Sequence, residues 1–244
     1  MPAIKFNKVV LPLPDGPINV IHSPFFAIIE KSEMIGSFVK PNRTLFIWII
    51  SSCIYPSLLA CEVLLLGDSI SSGYGITTEK TWANLLESQI KSLGASLVNL
   101  SVSGYTSRSG LELLKTYLKN KKPNIVIIEL GGNDALQYIS LEEFHHNLFS
   151  IEALSKQHEF ELVVLGIKLP PNMPLAYRKQ HHQVYMDLLK THLGTENLLE
   201  YVIQEDLFQT DQIHPNNQAQ PLIFKKAWPF IHKALDRRCH LDSQ

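Results

Sequence analysis

Two short stretches of this 244-residue chain carry side chains able to make and break a covalent bond. In Val63-Leu64-Leu65-Leu66-Gly67-Asp68-Ser69-Ile70-Ser71-Ser72-Gly73 an apolar run breaks at a glycine into an acid and a serine. A serine hydroxyl is a weak nucleophile. It needs a base in hydrogen-bond reach, a group that orients the base, and donors aimed at the oxygen that becomes negative. Asp211-Gln212-Ile213-His214-Pro215 offers His214 as the base and Asp211 as its orienter. Pro215 pushes His214 out of the helical region, and Asp211 can fold round to one ring nitrogen, leaving the other for Ser69. Read alone, Gly-Asp-Ser is ordinary turn chemistry, Asp211 caps a turn and His214 is an exposed histidine.

Donors come from Ser103-Gly104-Tyr105 and Gly131-Gly132-Asn133-Asp134. Gly104 lets a backbone N–H approach a ligand with no side chain in the way, and Asn133 brings an amide on a flexible diglycine turn. With the Ser69 N–H they form a three-donor oxyanion hole, in which loss of one donor costs about 3–4 kcal/mol of barrier. The other reading of Gly-Gly-Asn-Asp is simply a tight turn.

These residues converge only if the elements before them are parallel strands. Strands are expected at 62–66, 96–100, 124–130 and 161–167, alternating with helices at 79–93, 109–119, 141–157 and 175–193. Pro215 is read as opening a last helix that runs to about residue 236. Such alternation implies a mainly parallel sheet with helices on both faces, a three-layer α/β/α sandwich. Ser69, Gly104 and Asn133 all follow strands, so their loops share one sheet edge.

With the four stretches in this order, the chain resembles the SGNH branch of the GDSL hydrolases, flavodoxin-like in fold. More narrowly, it resembles the secreted bacterial thioesterase I, arylesterase and lysophospholipase group. The likeness runs from Glu62 to the C-terminal helix and includes Thr81-Trp82, Glu129-Leu130-Gly131-Gly132-Asn133-Asp134, Ile167-Lys168-Leu169-Pro170, and His214-Pro215-Asn216 through Ala219-Gln220-Pro221. The resemblance implies Ser69 as nucleophile, His214 as base, Asp211 as orienter, and Gly104 with Asn133 in the oxyanion hole. It implies hydrolysis of acyl esters or thioesters, without metal or cofactor, and an acyl chain lying in a shallow apolar groove. Tyr105 stands where the group usually has an acid, which bears on the substrate range. The resemblance also implies a flexible substrate loop, here Leu169-Pro170-Pro171-Asn172-Met173-Pro174. Its three prolines stiffen it, so a narrow acyl-length preference is expected. A carbohydrate deacetylase on the same scaffold, or a catalytically silent surface-binding domain, are the other readings.

Composition argues against other classes. A net charge of -1, with no long basic run, gives nucleic acid no electrostatic footing. Gly67 to Gly73 lacks the lysine of a phosphate-binding loop, and Gly67-Asp68-Ser69-Ile70-Ser71 lacks the last glycine of the nucleophile elbow. His145-His146 and His181-His182 are expected on helix surfaces rather than as metal ligands, and Asp206 as a surface charge. The chain is expected to act as a monomer on a small substrate.

Residues 1–60 are read as an extension and leader, and 61–244 as the hydrolase domain. Lys40 and Arg43 precede the charge-free run Thr44 to Ala60, the layout of an export signal; a retained membrane helix is the competing reading. Translation from Met34 would give a leader of about 27 residues, within the usual range. Leu58-Leu59-Ala60-Cys61 resembles a lipoprotein box, so Cys61 is a candidate lipid tether, with plain cleavage near Ala60 preferred. A periplasmic or secreted location follows from either. Without a lipid, a bond from Cys61 to Cys239 stays open.

Overall fold

Apolar runs too short for a helix become strands buried on both faces, because a sheet covered by helices leaves no wet side. The computed structural model describes residues 61–202 and 204–239; the leader, Met34 and the tail after Cys239 lie outside them. Five strands, β1 (Glu62–Gly67), β2 (Ser96–Asn99), β3 (Ile125–Glu129), β4 (Glu161–Leu165) and β5 (Leu193–Thr195), form one parallel sheet in the order β2-β1-β3-β4-β5. Among the described residues seven helices accompany them: α1 (Ser69–Ser72), α2 (Trp82–Ser92), α3 (Ser107–Leu118), α4 (Gly132–Leu136), α5 (Leu141–His158), α6 (Leu175–Leu188) and α7 (Gln220–Cys239). The three-layer α/β/α sandwich expected from the alternation is the observed fold.

Side chains along each strand alternate between two cores. Val63, Leu65, Ile125, Ile127, Val163 and Leu165 pack with α2 and α7 on one face. Leu64, Leu66, Val126, Ile128, Leu162 and Val164 pack with α3, α5 and α6 on the other. Each such side chain contributes about 1.5–3 kcal/mol relative to exposure, which fixes the register of the pairing. Helix ends follow local chemistry. Ser140 caps α5 through its hydroxyl, with Glu142 and Glu143 in the first turn and Lys156 and His158 in the last. Thr81 and Thr106 cap α2 and α3 in the same way.

The chain runs from β1 to β2 on one side and then crosses to β3 on the other. The crevice at the carboxyl ends of β1 and β3 is therefore the topological switch point, where open sheets of this kind hold ligands. Ser69 and Asn133 flank it.

Three expected boundaries are corrected. The last helix begins at Gln220, not Pro215; Pro215 pairs with Phe208 in an antiparallel bridge that closes the Asp211–His214 loop. Asn216 then turns the chain, its Oδ1 accepting the N–H groups of Gln218 and Ala219. Helix α6 stops at Leu188 rather than 193, and Leu193–Thr195 forms the unpredicted fifth strand. The start expected at residue 79 is a separate 3-10 turn, Thr78–Lys80, ahead of α2.

Candidate active site

Asp68 shapes the turn that displays Ser69. Its Oδ1 accepts the Ile70 N–H at 3.0 Å, and Gly73, at φ 76, ends the turn by donating to the Ser69 carbonyl. Ser69 is thereby the first residue of α1, where its own N–H has no acceptor within the helix. Gly67 is pressed against this turn, since a Cβ there would lie 2.6 Å from Ser71 and 2.8 Å from Glu129.

The loop between β5 and α7 brings His214 to Ser69. His214 Nε2 lies 2.9 Å from Ser69 Oγ, and His214 Nδ1 lies 2.7 Å from Asp211 Oδ2. An ionised carboxylate only accepts, so Nδ1 carries the proton and Nε2 is left to receive the serine hydroxyl. Asp211 Oδ1 also accepts the backbone N–H groups of His214 and Ile213, at 3.0 and 2.9 Å. The His214 N–H and then the imidazole hold the Asp211 carboxyl down at about 2, so it stays ionised. The Tyr74 ring leans on the imidazole with centroids 4.6 Å apart.

The donor side differs from expectation in detail. Gly104 is exposed at φ 85 with nothing within 4 Å of where a Cβ would stand; the backbone conformation, not crowding, calls for glycine. Asn133 has both amide protons engaged, one with Asp68 Oδ2 at 3.0 Å and one with the Tyr105 carbonyl at 3.1 Å. The diglycine turn is not loose. Gly131 is buried at φ 128, and a Cβ there would meet the Tyr185 hydroxyl at 2.2 Å and the Phe144 ring at 2.8 Å.

Behind these residues lies a buried polar layer. Glu129, at the end of β3, is wholly buried; its Oε2 accepts from Ser71 Oγ at 2.7 Å and from the Asp68 N–H at 3.4 Å. Burial, reinforced by the neighbouring Asp68 charge, pushes Glu129 well above the usual carboxylate range. Burial likewise raises Asp68 to about 6, partly offset by the Ile70 N–H. Asp134 accepts the Ser107 N–H at 2.8 Å and the Ser107 hydroxyl, tying the Gly104 loop to the Asn133 turn.

His181 overturns the expectation of a surface position. It is buried, stacked on Phe144 with centroids 4.4 Å apart, and its Nε2 is 3.0 Å from the Gly131 carbonyl. Burial lowers its pKa to about 4, so the ring is neutral and Nε2 donates. One helical turn on, the Tyr185 hydroxyl donates to the Leu130 carbonyl at 2.8 Å. Together they brace the backbone leading into Asn133. The spacing of His181 and Tyr185, four apart on α6, was the signal available in the sequence. His145 and His146 are exposed, and His182 is half-buried.

Asp206 is exposed in the turn Glu205–Leu207, and Asp211, not Asp206, engages the imidazole. Of the expected substrate loop, Pro170, Pro171 and Asn172 are exposed beyond β4, on the same edge as Ser69. Leu169 is buried, which removes its side chain from the solvent side. Among the described residues no helix is long and apolar enough to cross a membrane.

Known proteins resemble the chain in sequence and in fold. The family model described as the GDSL-like lipase/acylhydrolase family matches residues 65–220. Esterase TesA of Pseudomonas aeruginosa is 34% identical over 197 residues, covering 77% of this chain and 98% of the relative. The thioesterase 1/protease 1/lysophospholipase L1 of Escherichia coli K12 is 36% identical over 167 residues, 67% of this chain and 80% of the relative. An arylesterase of Vibrio mimicus is 33% identical over 168 residues, covering 66% and 84%. Among solved structures, TesA aligns with a TM-score of 0.67 at 34% identity, over 71% of this chain and 99% of that one. The psychrotrophic esterase EstA from Pseudoalteromonas sp. aligns at 0.64 and 31%, over 72% and 99%. On the family match and these relatives, the chain belongs to the GDSL-like lipase/acylhydrolase family.

Proposed function

We propose that the protein is a serine esterase and thioesterase that hydrolyses acyl esters or thioesters through an acyl-enzyme. The observation that carries this reading is the 2.9 Å contact between His214 Nε2 and Ser69 Oγ, with Asp211 on the opposite ring nitrogen. His214 takes the Ser69 proton as the oxygen attacks the carbonyl, and Asp211 stabilises the imidazolium. The Ser69 and Gly104 N–H groups receive the oxyanion, while the Asn133 amide exchanges the Tyr105 carbonyl for it. His214 then protonates the leaving alcohol or thiol, and water repeats the sequence on the acyl-serine. The printed names of the relatives, esterase, thioesterase, lysophospholipase and arylesterase, support this substrate class.

All these residues come from one chain, which supports action as a monomer. Export is supported by the charge-free run before Cys61 and by the pairing of Cys61 with Cys239, Cα atoms 5.6 Å apart, a bond of oxidising compartments. One sulfur cannot hold both that bond and a lipid, so plain cleavage ahead of Cys61 is the preferred form of the mature protein.

The test is hydrolysis of a p-nitrophenyl ester series and of acyl-CoA. Ser69→Ala is expected to lower kcat by at least about 1,000-fold with the fold intact by circular dichroism. The stiff Pro170–Pro171 loop is expected to give a peaked chain-length profile. Undiminished turnover in Ser69→Ala would refute the mechanism, and a flat profile would refute the role of the loop.

A further inference from the structure

The segment that carries the base has little buried surface of its own. Thr210, Asp211, Gln212 and Ile213 are all exposed, and Gln212 sits at φ 58. Segments with so little buried surface open at low cost, yet His214 must stay within hydrogen-bond reach of Ser69 for the reaction to run. Bonds inside the loop fix its shape: the Gln209 N–H donates to the His214 carbonyl at 2.8 Å, and the Gln212 N–H to the Gln209 carbonyl at 3.0 Å. They do not fix where the loop lies relative to the serine.

The side chain of Gln209 does. Its Nε2 donates one proton to the Tyr74 carbonyl at 2.8 Å, on the turn that follows Ser69. It directs the other to the Pro215 carbonyl at 3.1 Å, immediately after His214. Among the described residues, this amide and the His214–Ser69 contact are the hydrogen bonds that join residues 69–76 to residues 205–216. The amide also lies flat against Gly75: a Cβ there would come 2.2 Å from Gln209 Oε1, and Gly75 is at φ 70. The Tyr74 backbone held in this way carries the ring that leans on the His214 imidazole.

We propose that Gln209 is a positioning residue, whose two amide protons staple the base-bearing loop to the nucleophile turn and set the His214–Ser69 separation. The chemistry explains the residue type. Two carbonyl oxygens call for a group that donates twice, and a glutamate would set a carboxylate against both. The inference rests on the assignment of Ser69 and His214 made above.

The experiment uses Gln209→Met, which keeps the length and loses the donors, and Gln209→Glu, alongside Ser69→Ala. Active sites are titrated with a p-nitrophenyl phosphonate, and kcat and KM on a p-nitrophenyl ester are expressed per titrated site, with thermal melting in parallel. The staple predicts that both variants lose about 10- to 100-fold in kcat per titrated site while KM and the melting temperature stay close to wild type. A residue that merely supports folding would lower the titrated fraction and the melting temperature and leave the rate per site intact, and that result overturns the proposal. So does a per-site kcat within about twofold of wild type in both variants, well short of the loss a misplaced base entails. Ester hydrolysis surviving in Ser69→Ala would instead remove the serine assignment on which the staple stands.

Discussion

Glu129 and Asp68 sit behind the Ser69 turn, and both hold their protons to higher pH in the folded state than in the unfolded chain. Glu129 is raised well above the ordinary range, and Asp68 reaches about 6, by burial in each case. A folded-state pKa above the unfolded one adds stability at low pH that is lost as pH rises through the folded value. For Asp68 that loss begins near its unfolded value of 3.8 and extends through about 6, and Glu129 continues it upward. Asp211 runs the opposite way: held at about 2, it adds stability that disappears only as pH falls from about 4 toward 2. Glu129→Gln retains an oxygen for the Ser71 hydroxyl and removes one titration. Its melting temperature is expected to fall less between pH 4 and 8 than that of the wild type, and parallel curves would rule this out. At this scale the convergence of Ser69, Asp211 and His214 was legible, because Asp-x-x-His closes within one loop and the serine follows an evident strand. The engagement of both Asn133 protons was not, because its partners come from the cap of α1 and from the Gly104 loop, far off in sequence.

Elements with strong local signals fell where their chemistry put them. The apolar runs of β1, β3 and β4 and the capped start of α5 needed no tertiary information. Strand β5 escaped because it is only Leu-Gly-Thr, and its Gly194, at φ 146, lies so close to the Val164 backbone that any Cβ would collide. The start of α7 was misplaced because Pro215 is equally suited to a first helical position and to the bridge with Phe208 that it makes. The diglycine turn belongs at this scale as well. Gly131→Ala places a side chain at φ 128 and against the Tyr185 hydroxyl, costing about 1–3 kcal/mol from the backbone alone. Urea denaturation is expected to show at least that loss, together with reduced kcat as Asn133 is displaced; wild-type stability would contradict the packing described.

The parallel sheet as a whole was implied by alternating strands and helices, but the order β2-β1-β3-β4-β5 was not. That order depends on the direction of each crossover, which no local pattern encodes. Nor was the bond from Cys61 to Cys239, residues 178 apart, which joins the start of β1 to the end of α7. Closing so long a loop restricts the unfolded chain strongly, so Cys61→Ala with Cys239→Ala is expected to cost about 2–4 kcal/mol. The measurement is the melting temperature with and without reductant; an unchanged value would mean that the bond contributes nothing to the folded state. Activity at 25 °C is expected to survive, because the bond lies at the opposite edge of the sheet from Ser69.

That placement bears on how the enzyme can be handled. Six residues of β1, about 20 Å of extended chain, separate the cysteine pair from the serine turn. Cys61 and the end of the last helix meet on this far side, behind the mouth. Coupling the protein to a resin or a bead near either of these points therefore turns its catalytic opening outward, toward the bathing solution.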